Sequence, residues 1–168
     1  MRSALLVVLC LLASACTPEA GDELIHREPP VQPQRGQATE EYNHGPGDRV
    51  FFATDQSDLS EEARRTLERQ ARFLAFYPSI KVQIEGHADE RGTREYNLAL
   101  GQRRAEAVQT YLIALGVGAG RLSLVSYGKE RPAALGSGDA IWRQNRRAVS
   151  LFILDASVPK NILPGYPR

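Results

Sequence analysis

Between residues 80 and 85 the chain alternates without a break, with Ile80, Val82 and Ile84 set against Lys81, Gln83 and Glu85. A period of two sends one set to each side of an extended chain, so this stretch is a strand with one face buried. The segments around it repeat every three or four residues instead. Ala63, Leu67, Ala71 and Leu74 precede it, with Ser60 placed to cap a helix, Glu61 and Glu62 in its first turn, and Tyr77-Pro78 ending the run. Leu98, Gly101, Ala105, Val108, Leu112 and Leu115 follow as one stripe of a second helix, and Gly116 suits its left-handed stop. Further strands are predicted at 50–53, at 122–127 before Gly128, and at 147–153 with Val149, Leu151 and Ile153 on one face; 139–145 reads as a short helix. Strands separated by helices call for crossovers and parallel pairing. The expected fold class is α/β, an α+β sandwich of helices packed on one small mixed sheet.

A length of 168 residues has room for one domain plus extensions. With 21 basic and 20 acidic residues the formal charge is +1, so no broad cationic field marks a nucleic-acid partner. Electrostatic recognition must be local. Residues 1–15 read as an export signal: Arg2 is a minimal charged start, and the apolar run from Ala4 to Leu12 is too short to span a bilayer. Ala13-Ser14-Ala15 before Cys16 looks like a bacterial lipobox, with Ala13 where leucine is commonest. Cys16 would then carry the acyl chains that hold the protein to a membrane. The alternative is an ordinary secretory signal cut near Ala15. Cys10 lies inside the signal, so the mature domain has no thiol for redox chemistry or a thiolate metal cage. Residues 16–47 are poor in large apolar side chains and carry five prolines from Pro18 to Pro46, the composition of a disordered tether. The globular part is expected over 48–154, followed by an irregular tail over 155–168.

The densest cluster of polar chemistry is the run from Gly86 to Ala105. Asp89 follows a strand, in a loop loosened by Gly86 and Gly92, and strand ends are where α/β proteins place ligands. On the helix that follows, Arg104 lies roughly 70° from the centre of the apolar stripe, whereas Arg103 points nearly opposite, to solvent. A carboxylate accepts from an ammonium and a guanidinium grips a carboxylate with two parallel bonds, so Asp89 and Arg104 together suit an amino-acid-like end group. An internal ion pair, Asp89 with Arg104 or Arg147 pinning loop to helix, fits the spacing equally well.

The sequence Gly86-His87-Ala88-Asp89-Glu90-Arg91-Gly92-Thr93-Arg94-Glu95-Tyr96-Asn97, continued by Leu100-Gly101-Gln102-Arg103-Arg104-Ala105, resembles the signature of OmpA-like peptidoglycan-binding domains, specifically the peptidoglycan-associated lipoprotein family. The likeness spans roughly 48 to 153. It implies that Asp89 takes the ammonium and Arg104 the carboxylate of diaminopimelate in the peptidoglycan stem peptide. Asp55 matches a further polar contact, Thr54 stands where an aromatic residue is usual, and Ala88, Asn97, Leu100 and Ala105 match positions lining or shaping the groove. The late Asn145-Arg146-Arg147 motif matches arginines of a structural kind. By the same likeness the partners would be TolB and other Tol proteins, with Glu85, His87, Glu90 and Arg91 as the partner-binding residues. The implied role is an outer-membrane lipoprotein of a Gram-negative cell, its domain facing the periplasm and linking membrane to wall during division. Thr17 after Cys16 lacks the aspartate that signals inner-membrane retention. The rival role is a wall anchor for another envelope assembly or secretion complex.

Other chemistry lacks its residues. His87, Asp89 and Glu90 have no second histidine or thiolate for a metal. No carboxylate pair is arranged to hold one acid protonated for glycan cleavage, because neighbouring arginines keep acids ionised. Gly136-Ser137-Gly138 reads as a flexible connector without the setting of a nucleophile elbow. The pattern implies a binding module without cofactor, not an enzyme. Removing Asp89 or Arg104 is expected to abolish wall binding while sparing the fold, with Arg103→Ala as a neutral control.

Overall fold

The computed structural model describes residues 47–154. The signal segment, Cys16 with its acylation, the tether up to residue 46 and the tail 155–168 lie outside the described residues. Strand β1 (Arg49–Phe51) leads into helix α1 (Glu61–Phe76), strand β2 (Lys81–His87) and the long helix α2 (Arg94–Ala114). A short 3-10 turn (Ala119–Arg121) precedes β3 (Leu122–Gly128), followed by helix α3 (Asp139–Asn145) and β4 (Arg147–Ile153). The sheet order is β1-β4-β2-β3. Only β2 and β3 run parallel, joined by the α2 crossover; β4 is antiparallel to both β1 and β2. The sheet is mixed because the last strand enters between the first two.

Local chemistry explains the element ends. The Ser60 hydroxyl accepts from the Ala63 amide at 3.2 Å and Thr93 does the same for Tyr96 at 3.2 Å, each filling one orphan donor at a helix start. Gly116 closes α2 at φ +94°, and the Val117 amide reaches back to the Leu112 carbonyl at 3.0 Å.

The core lies between α1, α2 and one sheet face. Leu67, Leu74, Ile80, Val82, Ile84 and Leu112 have no exposed surface. Gln70 is equally buried, and its amide bridges the Gly47 carbonyl at 2.9 Å and the Ser150 hydroxyl at 2.8 Å. A polar group so enclosed must be paired.

Two expectations are corrected and one is extended. Val149, Leu151 and Ile153 share a face as expected, and it is the one away from the helices, where Leu151 and Ile153 pair with Gln83 and Lys81. Ala148, Ser150 and Phe152 point inward, opposite Gly86, Ile84 and Val82. On α2, Leu98 is 48% exposed and the inward line runs back through Asn97 instead. Stepping back 3.6 residues from Gly101 lands nearer 97 than 98, and Asn97 tolerates burial because its amide donates to the Arg91 and Thr93 carbonyls at 2.8 and 3.0 Å. Gly86 does not loosen the loop. It belongs to β2, where a side chain would strike the Gly101 carbonyl oxygen at 1.8 Å. A side chain on Gly101 would in turn meet the Ser126 hydroxyl at 2.4 Å and the Gly86 carbonyl oxygen at 2.8 Å. The two glycines let the α2 backbone rest directly on the β2 backbone.

Candidate functional site

That close approach brings Arg104, one turn beyond Gly101, under the C-terminal end of β2. Its guanidinium is fully buried and points at backbone oxygens. Nε donates to the Gln56 carbonyl at 2.8 Å, Nη1 to that of His87 at 2.7 Å, and Nη2 to that of Ala53 at 3.1 Å. The aromatic ring of Phe52 lies 5.1 Å from the guanidinium carbon. One side chain thus ties β2 to the β1–α1 connection. Burial, reinforced by the charge of Arg146, brings the Arg104 guanidinium down to about 10, so it remains charged at neutral pH.

Asp89 does not meet Arg104 or Arg147. Its carboxylate receives Arg91 from both sides, Nη2 at 2.6 Å and Nε at 3.1 Å, together with the Arg91 amide at 3.1 Å. Arg146 adds a fourth donor, Nη1 at 3.3 Å, while its Nε holds the Phe52 carbonyl at 3.1 Å. Burial alone would push the Asp89 carboxyl up; the hydrogen bonds from Arg91 and Arg146 outweigh it and hold it below the usual carboxylate range.

Between these charges opens a cleft of about 260 Å³ lined by Thr54, Asp55, Asp89, Arg91, Gly92, Tyr96, Asn97, Leu100 and Arg104. Asp55 stands on its rim in a left-handed conformation, φ +58°, which no other residue but glycine adopts among the described residues. Such geometry in a non-glycine residue is uncommon and clusters at binding sites. The Tyr96 hydroxyl donates to the Asp55 carboxylate, and Arg103, exposed as expected, lies over the Tyr96 ring at 5.9 Å.

The loop carrying Asp89 is fastened from outside. Lys129 Nζ donates to the carbonyls of Gly92 at 2.7 Å and Glu90 at 3.2 Å. The Glu90 carboxylate accepts from the Ser137 hydroxyl at 2.6 Å and the Trp142 indole at 2.9 Å, which hold its pKa below the ordinary glutamate value. Trp142 also carries the Arg91 guanidinium over its ring at 4.2 Å. Ser137, read as a mere connector, is one of the fastenings.

Of the residues singled out from sequence, Asp55, Asp89, Asn97, Leu100 and Arg104 converge on the cleft. Ala88 and Ala105 are buried and do not line it. Arg91 lines the cleft and Glu90 is exposed beside it, but Glu85 and His87 do not join them. His87 is the last residue of β2, its ring buried beside Tyr127, with neither nitrogen hydrogen-bonded. Burial, with the charge of Arg147 next, lowers its pKa to about 4, so it is neutral at pH 7. Sequence reasoning missed Tyr96, Trp142 and the grip of Arg146 on Asp89. The last two come from more than fifty residues away, and no local pattern signals them. No group of three histidine, cysteine, aspartate or glutamate side chains is placed to hold a metal ion among the described residues.

The OmpA family matches residues 51–146. A peptidoglycan-associated lipoprotein of Rhizobium meliloti is 55% identical over 106 residues, covering 63% of this chain and 60% of the relative. One from Brucella melitensis is 50% identical over 115 residues, 68% of each chain. The crystal structure of the peptidoglycan-associated lipoprotein from Burkholderia pseudomallei superimposes with a TM-score of 0.63 at 44% identity, covering 65% of this chain and 94% of that one. The chain therefore belongs to the OmpA family, with relatives among its peptidoglycan-associated lipoproteins.

Proposed function

We propose that the cleft binds peptidoglycan noncovalently through the amino-acid end of diaminopimelate, and that the protein is a lipid-anchored outer-membrane component of the Tol-Pal system. The observation that carries this reading is Arg104, a buried cation held by three carbonyls and by no carboxylate, at the floor of an open cleft. An unneutralised buried charge favours any ligand that brings the opposite one. Three of the five N–H groups of a guanidinium are spent on the backbone, which leaves two for a carboxylate. Asp89 and Asp55 supply the acceptors for the ligand's ammonium. Nothing in the cleft needs to transfer a proton, so the site binds and does not catalyse. The names of the relatives support the wall as ligand, and Cys16 supports the anchor. Glu90 and Arg91 at the rim support TolB as a partner that competes for the same face.

Titration of the full chain with two stem peptides, one ending in diaminopimelate and one in lysine, tests the reading. The diaminopimelate peptide should bind about tenfold or more tightly, the worth of one charged hydrogen-bonding partner. Equal affinity for both would overturn it. Sacculus pull-down at saturating TolB tests the competition, and undiminished wall binding would refute that part alone.

A further inference from the structure

Asp89 is assigned above to the ligand's ammonium, yet both of its oxygens are already taken. The occupant is Arg91, two residues along the same loop. Arg91 and Arg146 differ in how they are held. Arg146 is 5% exposed and anchored on the Phe52 carbonyl; the Arg91 side chain is 41% exposed, and its other partners are the Trp142 ring at 4.2 Å and the Thr54 hydroxyl at 3.4 Å. A stacked guanidinium slides or turns on an aromatic face with little loss. Arg146 is the more firmly held of the two, so Arg91 is the one for a ligand to displace.

Resting on the function proposed above, we propose that Arg91 is a tethered stand-in for the ligand's ammonium: it fills the Asp89 subsite in the free protein, so that an incoming ammonium binds there only by displacing it. The threshold follows from mass action. A group tied two residues from its partner competes at an effective concentration on the order of millimolar or more, so simple amines below that level do not displace it. Simple carboxylates do not displace it either, and they meet the Asp89 and Asp55 charges at the cleft. Only a ligand carrying both charges gains the buried Arg104 while it replaces Arg91 on Asp89. Arg91 thus acts by exclusion: it sets the threshold that an incoming ammonium must exceed and leaves ammonium-free ligands untouched.

The probes are L-Ala-γ-D-Glu-meso-diaminopimelate and the same tripeptide with the distal ammonium replaced by hydrogen, titrated calorimetrically against the full chain. Arg91→Ala should tighten the first by about fivefold, the scale of a partly exposed ion pair, and leave the second within about twofold. Arg91→Gln, which keeps the side-chain bulk, should behave alike, and thermal melts establish that both fold. Trp142, the only tryptophan in the chain, supplies a second readout. Binding of the first tripeptide should change its emission in the wild type and not in Arg91→Ala. Weaker binding of both tripeptides by both variants would make Arg91 a clamp on the carboxylate and overturn the inference, as would unchanged affinity. If the wild type binds neither tripeptide, the function proposed above fails and this inference with it; if the wild type binds and the variants do not gain, only this inference fails.

Discussion

Removing Arg104 tests site and fold together. In Arg104→Ala the carbonyls of Gln56, His87 and Ala53 lose their donor at once. That of His87 is sealed inside, and a buried acceptor left unpaired costs about 1–3 kcal/mol; the other two are only partly buried and regain water in part. The lost packing over Phe52 adds to this. The sum is about 3–5 kcal/mol, which for a domain of this size lowers the melting temperature by at least about 12 °C. Arg104→Lys keeps the charge and one donor, so it should lose about half as much. Circular-dichroism melts of the full chain read the stability, and sacculus pelleting below the melt reads the binding. Both variants should bind weakly, because neither presents a fork to a carboxylate. A melt of Arg104→Ala within about 2 °C of the wild type would refute the reasoning. It would mean that the three carbonyls do not depend on this side chain.

Two further perturbations address the frame around the cleft. Gly101→Ala places a methyl against the Ser126 hydroxyl and the Gly86 carbonyl, which cannot both give way; a loss of about 2 kcal/mol or more in urea unfolding is expected, and wild-type stability would show that α2 and β2 are not in backbone contact. His87 titrates at about 4 when folded and near 6.5 when unfolded, so the unfolded chain binds the extra proton between those values. Its contribution, roughly 3 kcal/mol, is complete above pH 6.5 and disappears as the pH falls to 4. The groups facing it, Glu85, Tyr127 and Arg147, remain in His87→Phe, which should flatten that part of the stability profile. An identical acid limb in the two proteins would remove His87 as its source.

The regular elements were legible because their signals are local. Alternation at 80–85 marked β2, the 63-67-71-74 spacing marked α1, and α3 and β4 fall within the expected limits. The facing of β4 was not legible. A strand wedged between two others shows apolar residues on both sides, and the deciding contact, Ser150 with Gln70, spans eighty residues. In the site, Asp89 and Arg104 were found by their positions relative to a strand end and a helix stripe. Their partners were misjudged for one reason: ion pairs form wherever the folded chain brings charges together. Arg104, read as flanking the apolar stripe, is buried at the floor of the cleft with its guanidinium on three carbonyls, and so the expectation that its removal spares the fold is withdrawn. Arg91 was read, from the resemblance, as a partner-binding residue, and only the coordinates place it on Asp89.

The position of β4 has a consequence for how the domain comes into being. Synthesis proceeds from the amino end, yet β1 has no hydrogen-bonding neighbour until residues 147–153 exist. Everything made before that point, β1, α1, β2, α2, β3 and α3, has an open seam between β1 and β2. The seam closes last, by threading one strand between two edges already in place, and long-range closure of this sort is slow. A ribosome that stalled, or a protease that cut, before residue 147 would therefore leave no smaller working version of the protein behind. The domain is completed in a single late event.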